Sequence, residues 1–406
     1  MPPTFWVLTA MFVALSRDRL ARLLPTRWLF CCALAAMWCL AAAPWAQPAQ
    51  TDTLPLTTTA RLLAGVDPGS NDPAVGQITS SEAWQQHRKA ARAGARQLKT
   101  RLDRINQWQA RFLPAATRGG TLLYPFSGPD FINAYALFPD ADTYVFFSLE
   151  PPGEVPQLER MPPQQLAALF GDLRAALNDL VALNFFITPN MKENLQTQAL
   201  QGTVPVLLAM MGLLELRVDA VEAMEAWPYR TQAQPTGSSP GAGATRPELP
   251  EQGVRITFTN PRTARQQVLV YLSIDVSDRQ LRYYPQFLPW LHTFEDPSVL
   301  LKSASYLLHG DHFRGLRKQL LADARIVVQD DTGIPYKTLR QAGFAISLFG
   351  QYERPVKLFE GRYQSDLEEA YEKAGNTEPV PFPFGYNWRK EGKSGVLLAQ
   401  RPSEVH

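Results

Sequence analysis

Beyond residue 43 the chain has no cysteine: Cys31, Cys32 and Cys39 all lie in the N-terminal stretch. Disulfides, thiolate zinc sites and cysteine nucleophiles are therefore excluded from the remainder, which must rely on its core alone. Charge of either sign is also in short supply. Forty Lys and Arg against 38 Asp and Glu leave a net +2, too little to argue for nucleic acid as a partner. No glycine-rich phosphate loop, dinucleotide fingerprint or His-Glu-x-x-His occurs, so nucleotide and zinc-peptidase chemistries have no signature here. No repeat of fixed period is found.

What is present begins with an address. Arg17, Arg19, Arg22 and Arg27 precede a 16-residue apolar run, Trp28 to Ala43, that ends in small residues. A basic lead, an apolar core and small residues are the parts of a secretory signal. Residues 1–43 are thus expected to direct export to the periplasm or the exterior, with cleavage after Ala43. The alternative is a retained N-terminal membrane anchor, although the run is short of the about 20 residues a span needs. Residues 44–80, rich in Thr, Pro, Gly and Asn, are expected to be a poorly ordered lead-in.

Alternating helical and strand patterns follow, which predicts an α/β fold: a mixed central sheet with flanking helices, in two lobes packed as one unit. The lobes cover residues 81–228 and 253–406, and a low-complexity loop, 229–252, separates them. Apolar runs at Thr121–Phe126 and Thr143–Leu149 read as buried strands on either side of a short helix, Phe131–Leu137. A helix is expected over Ser81–Phe112. One face of it carries Arg88, Lys89, Arg92, Arg96, Lys99, Arg101, Arg104 and Arg111 against Glu82 and Asp103. Such a face is either solvated or adheres to an anionic envelope surface, with Arg88, Arg92, Arg96 and Lys99 as the contacts. Further on, a hairpin is expected over Val254–Thr259 and Gln267–Val276. Helices are expected at Pro163–Asn184, Pro205–Leu214, Ser298–Leu308, Phe313–Ala322 and Gln364–Lys373. Strands are expected at Leu216–Ala223, Arg325–Gln329, Phe344–Phe349 and Gly395–Gln400.

Candidate chemistry lies where strands end. Asp330 and Asp331 follow an apolar strand, the position where α/β proteins place their sites. They could act as base and acid or hold a divalent cation; the same letters also form an ordinary turn around Gly333. Ser127 and Asp130 follow an earlier strand, and Glu150 follows the next. Ser127 lacks the Gly-x-Ser-x-Gly surround of a hydrolase nucleophile. Asp130, Asp330 and Asp331 are the catalytic candidates, with Ser127, Glu150 and Tyr336 as binding candidates, the acids and Ser127 converging on one sheet edge. His309, Asp311 and His312 are the candidate metal ligands. Their spacing resembles half of the ligand set of metallo-β-lactamase-like hydrolases, but the preceding His-x-His is absent. The alternative is a helix end, with His309 at the C-terminal dipole and Asp311 opening the next helix. The aromatic run Tyr283, Tyr284, Phe287, Trp290 and His292 reads as core, or as a sugar-stacking platform.

The phrases YPFSGPDF, TYVFFSLEPPGEVP, VLLKSASYLLH, QDDTGIPY and FGQYERPVKLF resemble a group of exported bacterial proteins, over roughly Trp84 to Arg401. The resemblance implies one functional unit and no particular reaction, cofactor or catalytic residue. The expectation is an exported, non-catalytic binding or envelope-associated protein, with a hydrolase, metal-assisted or not, as the alternative.

Overall fold

The computed structural model describes residues 53–183, 195, 197, 199–225, 252–386 and 394–402. The expected leader and nearly all of the low-complexity segment lie outside them. Among the described residues no helix is long and apolar enough to cross a membrane.

Helices α1 (Leu56–Leu63), α2 (Pro73–Ser80) and α3 (Glu82–Phe112) come first, followed by β1 (Thr121–Pro125), α4 (Phe131–Leu137) and β2 (Thr143–Ser148). Next are α5 (Pro163–Leu183), α6 (Val204–Leu213) and the antiparallel trio β3 (Arg217–Glu225), β4 (Gln252–Asn260) and β5 (Arg265–Ser273). Two short helices, α7 (Asp278–Leu281) and α8 (Phe287–Leu291), lead to β6 (Ser298–Leu301), α9 (Arg314–Asp323) and β7 (Ile326–Gln329). The chain continues through α10 (Tyr336–Gln341), β8 (Ala345–Gly350), α11 (Ser365–Ala374) and β9 (Gly395–Gln400).

Among the described residues nine strands join one sheet, in the order β3-β4-β5-β2-β1-β6-β7-β9-β8. Its centre, β5-β2-β1-β6-β7, is parallel throughout, whereas β9 runs antiparallel to both β7 and β8. From β1 the winding goes outward through β2 to β5, then returns to the other side of β1 for β6 and β7. The strand order therefore reverses between β1 and β6, as in doubly wound sheets. β2 pairs with β5, and β1 with β6, so residues from both sides of the low-complexity segment interleave in the same sheet. That segment joins β3 to β4, which pair with each other.

Both faces of the central strands are covered, which is why they read as near-continuous apolar runs. Successive side chains alternate between the faces. Leu122, Tyr124, Tyr144, Phe146, Leu300 and Val328 face a core built with α1 to α6. Leu123, Val145, Phe147, Val299, Leu301 and Val327 face a second core built with α7 to α10.

Three expectations need correction. The supposed lead-in contains α1 and α2, and Ala60, Leu62 and Leu63 are fully buried. α1 lies so close to α6 that a Cβ on Gly212 would strike the Ala60 carbonyl. The polar letters of 44–80 concealed an amphipathic turn whose value arises only once α6 is present. Secondly, Ser298–Leu308 is not a helix. Ser298–Leu301 is a strand buried on both faces, and the following residues form a loop; pairing with β1 and β7 overrides the helical letters. Thirdly, Arg101 is not on the solvated face of α3. The buried stripe of α3 is Trp84, His87, Leu98, Arg101, Ile105 and Trp108, at helical steps. In the aromatic run, Tyr284, Phe287 and Leu291 are core, while Tyr283 is exposed.

Candidate functional site

The parallel strands end together on one edge, and their C-terminal loops carry the candidate residues. In doubly wound sheets ligands bind at this edge, beside the reversal of strand order. Here the reversal is flanked by Phe126–Asp130 after β1 and Lys302–Tyr306 after β6.

Both loops leave their strands through left-handed backbone. φ is +59° at Phe126, +52° at Gly128, +53° at Ser303 and Ser305, and +55° at Tyr306. For side-chain-bearing residues this conformation costs on the order of 1 kcal/mol or more each and persists only where surrounding contacts impose it. At these loops the contacts are polar. Asp130 precedes α4, but its side chain makes no capping bond. Its Oδ2 instead accepts from Tyr124 Oη at 2.9 Å and pairs with Lys302 Nζ at 2.9 Å, and Oδ1 accepts from Asn133 Nδ2 at 2.7 Å. Lys302 and Asp130 are almost wholly enclosed, with side-chain exposures of 1% and 2%. Arg101 is close enough for Asp130 to favour its charge against the effect of burial. The Asp130 carboxylate is thus committed to Tyr124, Asn133 and Lys302.

Asp330 ties β7 to the β6 loop. Its Oδ2 accepts from the Ser303 backbone N–H at 2.9 Å, and its Oδ1 from the Thr332 N–H at 2.9 Å and Thr332 Oγ1 at 2.5 Å. Gly385, at φ +70°, packs directly on this carboxylate, leaving no room for a Cβ. Burial raises the Asp330 pKa, and these hydrogen bonds together with Lys302 oppose the rise.

Asp331 differs. It is half-buried, and its Oδ2 accepts a bond from Tyr306 Oη at 2.5 Å. Burial, and then the neighbouring Asp330, push its pKa up to about 7, while the Tyr306 bond pulls the other way. A cavity of about 10 Å³, room for roughly one water, adjoins Asp330 and Asp331 beside Tyr352 and Tyr386. Tyr386 Oη also donates to the Ser303 carbonyl at 2.9 Å.

Two hydroxyls at the reversal, Ser127 Oγ and Ser303 Oγ, are buried and have no partner among the described residues. Buried polar atoms are seldom left so.

Of the expected set, the fold gathers Ser127, Asp130, Asp330 and Asp331 around the β1, β6 and β7 ends. Glu150 lies on the β2–β5 side, buried and accepting a bond from Ser148 Oγ, while its carbonyl accepts from Tyr271 Oη at 3.0 Å. Tyr336 opens α10, its N–H donating to Gln364 Oε1 at 2.9 Å and its ring packing with Leu367 and Tyr371. The metal candidates are not brought together. Consecutive one-turn helices at Leu307–His309 and Asp311–Phe313 turn His309 edge-on to Tyr306 and leave Asp311 and His312 exposed. Asp311 pairs with Arg314 at 3.0 Å, which lowers its pKa. Burial, with Arg362 and Arg317 nearby, lowers the His309 pKa to about 4. Among the described residues no group of three or more His, Cys, Asp or Glu could hold a metal.

Sequence reasoning missed Lys302, Tyr306, Tyr124 and Arg101. Arg101 was discoverable, since it falls on the three- and four-residue rhythm of the α3 apolar stripe. Lys302 and Tyr306 were not, because they lay inside a stretch that reads as helix. Comparison with family models, with curated proteins and with solved structures gave no match.

Proposed function

We propose that the protein binds a small uncharged polar substrate at the C-terminal edge of its sheet, and that Asp331 moves a proton there, as in a hydrolase. The observation that supports this reading most is the contrast among the carboxylates. Asp130 and Asp330 have their oxygens filled and are 2% exposed, as is Glu150. Asp331 is half-buried, with a pKa of about 7 and a tyrosine hydroxyl at hand. A carboxylate poised near neutrality can accept a proton from water or a hydroxyl and return it. Lys302, a cation at the reversal, is already paired with Asp130 and almost wholly enclosed, which disfavours a phosphorylated substrate.

The experiment is a turnover screen on neutral p-nitrophenyl esters and glycosides between pH 5 and 9. Asp331→Asn is expected to lower any turnover about 100-fold or more. Tyr306→Phe is expected to keep part of it while moving the midpoint near 7 to higher pH, because the bond that favours the carboxylate is gone. Turnover indifferent to Asp331→Asn would remove the assignment.

A second reading, adhesion to an anionic envelope surface, draws on α3. The structure revises its contacts. Lys99 is paired with Asp103 at 2.7 Å, and Arg88 lies over the Trp84 ring. Arg104 and Arg111 are turned to Pro381 and Glu378. Lys89, Arg92 and Arg96 are exposed and have no acidic partner among the described residues. At about 1 kcal/mol per charge near an anionic surface, Lys89→Gln/Arg92→Gln/Arg96→Gln should abolish most retention on phosphatidylglycerol vesicles at low salt. Lys99→Gln should leave it nearly intact. Equal losses from both would count against this face.

A further inference from the structure

A separate cavity lies far along the chain from the sheet edge. α2 and α3 meet at Ser81, and residues of the loop before α2, Asp67 to Asp72, line the space beside them. Between them is an open groove of about 410 Å³, within the size range of small-molecule sites. Asp67, Asn71, Asp72, Gly76, Trp84 and Arg88 are among its lining residues.

Three features of this lining are not explained by the fold itself. Trp84 is 1% exposed, yet its Nε1–H, a donor only, has no acceptor among the described residues. An unsatisfied buried donor carries a desolvation cost that an arriving acceptor would remove. Gly76 sits inside α2, where glycine weakens a helix, and a Cβ there would meet nothing within 4 Å. No packing contact requires this glycine, but its absent side chain leaves the helix backbone open to the groove. Thirdly, the groove's polar groups are only half used. Asp67 Oδ1 accepts from the Gly69 N–H at 2.9 Å and Asp72 Oδ1 from the Ala74 N–H at 2.8 Å. No bond to the second oxygen of either is seen among the described residues. Arg88 stacks over Trp84 at 5.1 Å and has no carboxylate partner among the described residues.

The geometry points to a saccharide-binding groove between α2 and α3, sized for a neutral mono- or disaccharide. Sugar hydroxyls both donate and accept. They can give hydrogens to Asp67 and Asp72 while taking them from Arg88 and Asn71. Pro68, Pro73 and Val75, which also line the groove, supply apolar surface for the C–H faces of a ring. Opposite charges in one groove favour such a mixed hydrogen-bonding ligand over an anion or a polyamine.

The test is saturation-transfer NMR on the full chain with maltose and N,N′-diacetylchitobiose, and with spermidine and inorganic phosphate as charged probes. Saturation transfer to at least one disaccharide is expected, weakened at least tenfold in Asn71→Ala and in Gly76→Ala. Gly76→Ala separates a binding role from a structural one. As a helix substitution it should raise the melting temperature, so weaker binding cannot be blamed on unfolding. The proposal is overturned if neither disaccharide gives transfer, if Gly76→Ala leaves transfer unchanged, or if spermidine or phosphate displaces the sugar.

Discussion

Lys302→Met is expected to destabilise the protein by about 3–5 kcal/mol, the largest effect of any single polar substitution outlined here. It would strand the Asp130 carboxylate in the interior, and breaking a buried pair from one side is costly because the remaining charge has lost its counter-charge. Asp130 would keep its bonds from Tyr124 and Asn133, which places the effect toward the lower end of the range. The same reasoning makes the double variant Asp130→Asn/Lys302→Met milder than the sum of its parts. With both charges gone, the interior keeps an amide that Tyr124 can still reach and an apolar chain of similar length. Chemical denaturation of the four species in a double-mutant cycle gives the coupling energy directly. A cost of Lys302→Met below about 1 kcal/mol would show that the Asp130 carboxylate finds water when Lys302 is absent, and that the pair does not hold the β1 and β6 loops together.

Asp331→Asn should do the opposite, stabilising the protein as pH rises. The folded-state pKa of Asp331 is raised to about 7, whereas an unfolded aspartate titrates near 3.9. Between these values the folded protein holds a proton that the unfolded chain has released. Stability therefore falls as pH rises through this window, and the whole penalty is present above about 7. Asparagine, neutral at every pH, carries no such penalty and can still accept from Tyr306. The variant should match the parent near pH 4 and exceed it by on the order of 1–2 kcal/mol at pH 8, after discounting for partial solvent screening. Denaturation at pH 4, 6 and 8 reads this out without any substrate. A carboxylate kept at the expense of stability is the signature of a group retained for its chemistry. An Asp331→Asn variant less stable than the parent at pH 8 would instead identify Asp331 as an ordinary turn residue bonding its own loop.

These two expectations divide the edge into parts with different jobs. Asp130, Lys302 and Asp330 are fasteners: they fix the left-handed exits from β1 and β6 and tie β7 to them. Asp331 and Tyr306 rest on that frame. The cavity beside them holds about one water, so substrate access requires the cover over Asp330 and Asp331, which includes Tyr386 and Gly385, to shift.

Much of this architecture was legible from the letters. Thr121–Pro125 and Thr143–Ser148 announce themselves as buried strands because both faces of a covered parallel sheet must be apolar. Gly395–Gln400 is marked by the same continuous run, and α3 by its three- and four-residue rhythm. The placement of Asp130, Asp330 and Asp331 after strands was also visible, since a polar residue that directly follows an apolar run must emerge where the strand ends. Long-range partnership was not. Ser298–Leu301 is a strand only because β1 and β7 stand on either side of it; in isolation its leucines suit a helix equally well. Lys302 can be buried only because Asp130, 172 residues earlier in the chain, supplies its counter-charge. Asp331 acquires its raised pKa from enclosure and from Asp330, neither of which the local phrase QDDTG reveals. Period and composition report what a residue does within its own element. Burial of charge is settled by which elements meet, and here that was decided by the reversal of strand order between β1 and β6.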